Sequence, residues 1–334
     1  MRRLLSFVLC CLMASFVLPA HALDPALWQT WRTRFVAADG RVIDTGQGGV
    51  STSESQGYGM LLAEAAADTA HFDRLWNWTR THLAIREDGL LAWRYHPQRG
   101  VEDANAAADG DLLVTWALLR AAERFGRADY REQGLALASA IRHHLIAASA
   151  WGPVLKPAPA GFDRPEGAVV NLSYWVFPAI EELARADPDP VWPALRTSGR
   201  ELLRLARFGR WSLPPDWLLL ADPLRPAPGW PARFGYDALR IPLYLAWAGE
   251  RDELVLAPFR AFWGGYACTK RLPAWTDFDL DAVDGWGGFA GVTAIAALLG
   301  IQVPSSVMPR FEDLDYYPAT LVLLAQLAAR EGTP

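Results

Sequence analysis

The sequence predicts an all-α fold in which helical hairpins close into a toroid, with short strands at its periphery. Three observations lead there. About eleven segments carry apolar residues at helical spacing. Strand signals are few and short. No linker and no fixed repeat period divides the chain, which favours one α/α barrel over a regular helical solenoid.

The helices are expected over residues 25–35, 56–67, 71–83, 111–125, 130–146, 173–185, 191–205, 236–248, 253–263, 291–299 and 319–329. In 111–125 the residues Leu112, Leu113, Trp116, Leu119 and Phe125 share a face, and Gly126 suits the residue after a helix end. The segment 130–146 repeats the pattern with Leu135, Leu137, Ile141 and Leu145. Gly- and Pro-rich turns separate most segments. Strands are expected only over 89–95 and 210–213. The proline-rich stretches 156–165 and 214–231 read as loops shaping one end of the barrel.

Composition narrows the function. The 334 residues are 51% hydrophobic and 21% charged, which excludes disorder. Arg2 and Arg3, an apolar run over 4–18 and Ala20-His21-Ala22 form a secretory leader pattern. The expected organisation is therefore a cleaved signal peptide over 1–22 and one catalytic domain over 23–334, periplasmic or secreted, with no membrane association after cleavage. Losing two arginines leaves 30 basic against 37 acidic residues, a net charge of −7. That balance argues against nucleic acid and anionic membrane as partners. Cys268 is the one cysteine beyond the leader, so no internal disulfide can form, and a small buried thiol is expected. The chain also has 16 Trp, 9 Tyr and 14 Phe. Most belong in a core, yet such a content also suits stacking on the flat faces of sugar rings.

Motifs of other chemistries are missing. There is no H-E-x-x-H, no C-x-x-C beyond the leader, no Walker A sequence and no G-x-S-x-G. The scattered histidines make a zinc site improbable, and neither metal nor cofactor is expected. Gly285 to Ala290 formally fits a dinucleotide fingerprint, but without a βαβ context it reads as a turn before a helix.

What remains is carboxylates among aromatics. Glu54 stands in Ser53-Glu54-Ser55-Gln56-Gly57-Tyr58-Gly59-Met60, ringed by small residues that leave room for a ligand. An acidic first-turn residue favoured by the helix dipole would look the same. Asp109 and Asp111 precede an apolar helix; one serves as an N-cap, and the second calls for another explanation. Asp237 and Arg240 are spaced i, i+3, consistent with a local ion pair as well as with a site.

Together the segments S-E-x-Q-G-Y-G-M, A-A-x-D-G-D-L-L-x-x-W-A-L-L and R-F-G-Y-D-A-L-R-I-P-L-Y-L-A-W, in this order, resemble glycoside hydrolase family 8. Within that family the chain is most like the periplasmic endoglucanases that accompany bacterial cellulose synthase. The resemblance implies an (α/α)6 barrel and hydrolysis of internal β-1,4-glucosidic bonds with inversion. By the same resemblance Glu54 matches the proton donor, Asp237 the general base and Asp109 the aspartate that holds the sugar at the cleavage subsite. Tyr236 and Arg240 match neighbours of the base, and Tyr174 a site tyrosine. The family usually has Ser or Thr where Ala108 stands, so one hydroxyl is lost. The implied partner is a β-1,4-glucan (cellulose) chain, with contact to the cellulose synthase and export complex as a further possibility. Xylan, chitosan or mixed-linkage glucan would use the same carboxylates, and a non-catalytic glucan-binding assembly protein is the rival from another class.

On this reading Glu54 stays protonated against the aromatic cleft and Asp109, while Asp237 stays ionised beside Arg240. Trp93 is the first choice for a sugar platform, placed on the expected strand 89–95. Trp151, Trp211 and Trp286 are weaker choices.

Overall fold

The computed structural model describes residues 23–269, 271–284, 289–302 and 309–332. Its eleven described α-helices are α1 (Pro25–Phe35), α2 (Ser53–Ala65), α3 (Thr69–His82), α4 (Ala108–Phe125), α5 (Ala128–His144), α6 (Phe177–Ala186), α7 (Val191–Leu205), α8 (Arg240–Trp247), α9 (Glu253–Gly265), α10 (Ala290–Leu298) and α11 (Tyr316–Glu331). The expected leader and Trp286 lie outside the described residues.

Burial separates an inner from an outer set. In α2 every residue except Glu54 is buried, and α4 is buried without interruption from Ala108 to Leu119. Helices apolar on all sides must be surrounded by protein. By contrast α3 buries one stripe, Phe72, Leu75, Trp76, Trp78 and Thr79. The contacts follow: α2 packs on α4, α4 on α6, α6 on α8, α8 on α11, and α11 returns to α2. The outer helices α3, α5 and α7 each pack on the inner helix that precedes them, and α10 packs on α8 and α11. This is the barrel of helical hairpins that the sequence predicts. Trp31 of α1 donates its indole N–H to Thr320 Oγ1 of α11 at 2.9 Å, joining the chain's two ends. At the C-terminal end of the inner helices, Glu64 of α2 accepts from Arg120 (2.8 Å) and Arg124 (2.6 Å) of α4. Arg120 also binds Glu331 of α11 at 2.7 Å.

Two glycines set the spacing of α2 and α4. A Cβ on Gly57 would stand 2.6 Å from the Leu113 Cβ, and one on Gly110 would stand 2.0 Å from Ser53 Oγ and 2.8 Å from the Glu54 nitrogen. Gly57 and Gly110 therefore serve close helix packing, while the small residues Thr52, Ser53 and Ala107 border open space beside Glu54, as expected. Helix starts also differ from expectation: α2 begins three residues earlier and α4 three residues earlier, so Glu54 and Asp109 sit in first turns. Asp111 is not the N-cap; that position is Ala107, and Asp111 lies inside α4.

Strands are more numerous and shorter than expected. β1 (Ser51–Thr52), β2 (Arg94–His96) and β3 (Gly100–Asp103) form one antiparallel sheet, with Ser51 opposite Tyr95. β4 (Ile146–Ser149) and β5 (Gly152–Leu155) form a hairpin. β6 (Asp163–Arg164), β7 (Gly167–Val170), β8 (Leu218–Leu219) and β9 (Arg225–Pro226) form a four-stranded sheet. β10 (Arg233–Phe234) pairs with β11 (Thr276–Asp277). The expected strand 89–95 is realised only at its end, and Trp93 precedes it. The segment 210–213 is a turn closed by the bridge between Phe208 and Leu213. Both have apolar content suited to a strand, but ladder pairing reaches only Arg94 and Tyr95 in the first and the single Leu213 bridge in the second. Cys268 is exposed in the turn after α9, contrary to expectation, because that turn projects from the barrel.

Gly110→Ala is expected to lower the melting temperature and to reduce turnover at least tenfold, since its new methyl group collides with Ser53 and the Glu54 backbone. Calorimetry and a hydrolysis assay on the same preparation check this; wild-type values for both would refute the packing argument.

Candidate active site

The inner helices run in one direction, so their N-termini gather at one end of the barrel. Glu54 is the second residue of α2, and Asp109 the second of α4. Tyr174 lies in a 3-10 turn just before α6. Arg240 is the first residue of α8, with Tyr236 and Asp237 immediately before it. Tyr317 is the second residue of α11. These residues and Trp93 line one groove of about 490 Å³.

Local structure aims the side chains. Thr52 caps α2 in a reciprocal capping box with Ser55, at 3.0 and 2.9 Å, fixing the first turn that carries Glu54. Trp93 is held by its backbone: its N–H donates to the Asn105 carbonyl at 2.9 Å, and its carbonyl accepts from Ser53 N–H at 3.0 Å. Strand β2 starts one residue later, and the indole faces the groove. Tyr236 is 44% exposed and stacks on Phe289 at 6.3 Å with an interplanar angle of 9°. Trp151 and Trp211, in contrast, pack against the core away from the groove.

Arg240 is the hub. It is 3% exposed and meets three carboxyls from three elements. It is in direct contact with Glu54 Oε1, lies 3.1 Å from Asp109 Oδ2 and 3.1 Å from Asp237 Oδ1. Its Nη2 also donates to Ser173 Oγ at 3.0 Å, and its guanidinium lies 5.7 Å from the Tyr174 ring centre. The structure thus brings together Glu54, Asp109, Asp237, Trp93, Tyr174, Tyr236 and Arg240, and leaves out the weaker platform choices Trp151 and Trp211.

Sequence reasoning missed several neighbours. Tyr58 donates to Glu54 Oε1 at 3.3 Å and shares a 2.7 Å hydrogen bond with Tyr244. Its i+4 position relative to Glu54 was a usable signal. Asp216 faces Asp237 from a distant loop and carried no signal. Asp111 is fully buried; its Oδ1 accepts from Leu91 N–H at 2.9 Å, and burial raises its pKa well above the usual range.

The electrostatics differ from the sequence-based expectation. Burial pushes Asp109 up to about 7. Burial, with Asp216 and Asp109 nearby, pushes Asp237 up to about 8. A third of the Asp237 side chain still meets the groove, which tempers its desolvation. Glu54 touches the same Arg240 guanidinium. One arginine faces three carboxyls there, too little positive charge to hold all three ionised, so burial prevails at Asp109 and Asp237.

A model of glycosyl hydrolases family 8 matches residues 4–331. The chain belongs to that family. It is therefore a glycoside hydrolase. It is 38% identical to a probable endoglucanase of Novacetimonas hansenii over 324 residues, covering 96% of this chain and 94% of the relative. An endoglucanase of Cellulomonas uda is 37% identical over 275 residues, covering 81% and 76%. Among solved structures, the endo-beta-1,4-glucanase CMCax from Acetobacter xylinum superposes with a TM-score of 0.86 at 38% identity, covering 92% of this chain and 98% of that one. The family assignment and these neighbours carry the (α/α)6 architecture.

The raised aspartate pKa values bear on stability. A carboxyl whose folded pKa exceeds its unfolded value near 3.9 keeps a proton in the fold that the unfolded chain has lost. Stability then declines as pH rises through that window, here about 4 to 7 for Asp109. Asp109→Asn is expected to raise the melting temperature more at pH 8 than at pH 5. Melts at the two pH values check this; a larger gain at pH 5 would contradict it.

Proposed function

We propose that the protein is an endo-β-1,4-glucanase that inverts the anomeric centre, with Glu54 as general acid and Asp237 as general base. The observation that carries the reading is the pair of carboxyls in one aromatic-lined groove, bridged by a single guanidinium. Inversion needs an acid at the glycosidic oxygen and a base on the opposite sugar face, about 6.5–9.5 Å apart so that water fits between. Relatives named endoglucanase support β-1,4-glucan as the substrate.

A glucan entering the groove takes the place beside Glu54 that the guanidinium now occupies. Arg240 then turns wholly to Asp109 and Asp237 and lowers their proton affinity. With substrate bound, Glu54 gives its proton to the glycosidic oxygen and ionised Asp237 takes one from the attacking water. Asp109, held by Arg240, binds sugar hydroxyls and favours the distorted ring of the transition state. Trp93 and Tyr236 supply flat apolar faces for the flanking rings. The leader pattern at residues 1–22 directs the enzyme to the periplasm. The resemblance to endoglucanases that accompany cellulose synthase supports trimming of glucan strands during cellulose secretion, alongside the export complex.

Glu54→Gln and Asp237→Asn are each expected to lower hydrolysis of soluble carboxymethylcellulose by at least about 100-fold while leaving cello-oligosaccharide binding intact. NMR of the first-released sugar is expected to show the α-anomer. Near-wild-type activity in Glu54→Gln, or a β-anomer, would overturn the mechanism, and faster cleavage of xylan or chitosan would overturn the substrate.

The acidic limb of kcat/KM should lie above the ordinary aspartate range, because Asp237 is raised in the free enzyme. In the kcat profile the limb should move to lower pH, because bound substrate frees Arg240 for Asp237. Coincident limbs in the two profiles would refute that lowering of its proton affinity.

A further inference from the structure

Asp237 sits in the short turn between β10 and α8, closed by Leu239 N–H on the Gly235 carbonyl at 2.9 Å and by Arg240 N–H on the Asp237 carbonyl at 3.1 Å. The turn is tied to the rest of the fold by Asp216, from the Pro214-Pro215-Asp216-Trp217 segment just before β8. Asp216 is 4% exposed. Its Oδ1 accepts the backbone N–H of Gly235 at 2.9 Å and that of Ala238 at 2.9 Å. These two donors bracket Tyr236-Asp237, so a single carboxyl oxygen grips the segment on both sides. The other oxygen, Oδ2, accepts from Arg233 Nε at 3.2 Å. The Asp216 N–H donates to the Arg233 carbonyl at 2.9 Å, which ties the two loops together a second time. Gly235 is required here: a Cβ would stand 2.6 Å from Asp216 Oδ2.

We propose that Asp216 is a positioning residue for the hydrolysis, which aims the Asp237 carboxyl through its two backbone hydrogen bonds and tunes its proton affinity through its charge. The inference rests on Asp237 being the general base. The groups facing Asp237 are Asp216 and Asp109, Arg233 and Arg240, Tyr174 and Tyr317, and the Asn171 amide. Of these, the two aspartates raise its pKa, and Arg233 and Asn171 lower it. Asp216 pairs with Arg233, and both can be changed without removing one of the groups described at Glu54, Arg240 and Tyr58.

Asp216→Asn keeps an oxygen acceptor for both N–H groups and removes the charge. A base must be ionised, so activity falls as pH drops through its pKa. Lowering that pKa moves the acidic limb of kcat/KM to lower pH. We expect a shift of at least half a pH unit in Asp216→Asn, so that well below the wild-type limb it keeps several-fold more of its maximal rate than wild type. Arg233→Gln, which removes the opposing charge, should move the limb the other way. Asp216→Ala should lower kcat at least tenfold with KM within threefold of wild type, and Asp216→Asn should recover most of that loss. All variants are measured on soluble carboxymethylcellulose beside wild type and Asp237→Asn. Activity in Asp237→Asn would bring down the base assignment itself. If that variant is inactive while the limb stays in place in both Asp216→Asn and Arg233→Gln, the inference about Asp216 alone falls. A wild-type kcat in Asp216→Ala would overturn the aiming role.

Discussion

One guanidinium, that of Arg240, holds this site together. Glu54, Asp109 and Asp237 come from three separate elements, and each rests against it. Three carboxyls crowded around one cation cannot all ionise, because leaving charge uncompensated in a largely desolvated cluster is expensive. The cluster therefore keeps protons near neutral pH. Acid–base hydrolysis needs one protonated and one ionised carboxyl at once, and an undersized supply of positive charge provides it.

The barrel exists to bring those groups together. Running the inner helices in one direction collects their N-termini, and with them the side chains of their first turns, at one end. The helix dipoles there favour anions, while burial opposes them; at Asp109 and Asp237 burial prevails. The opposite end shows the contrary design, with Glu64 matched by Arg120 and Arg124. The carboxyls at the site end thus cost stability that the matched end and the core offset, a common feature of catalytic constellations.

Spacing matters as much as charge. Glu54 and Asp109 are neighbours because Gly57 and Gly110 let α2 and α4 touch backbone to backbone. Asp237 precedes its helix in a turn that is tied to Asp216 by two backbone hydrogen bonds. The two halves of the site are therefore positioned by different means, rigid helix packing for one and a side-chain clamp for the other.

Helices were legible because burying one stripe, or a whole cylinder, imposes a 3.6-residue period that survives in the sequence; α7 appears over the range read from its periodicity. The three acid-bearing segments were legible because each joins a carboxylate to aromatic or small residues at a helix start. The paired strands were not, since two-residue strands such as β8 and β9 are defined by partners distant in the chain. Asp216 was not, since its role depends on a loop some twenty residues on. Nor was the raised proton affinity of Asp109 and Asp237, which burial decides. Local pattern determined the helices and the acids, because both are written in neighbouring residues. Which acid faces which cation, and how far from water, was decided by tertiary packing, because electrostatic energy depends on distances through space.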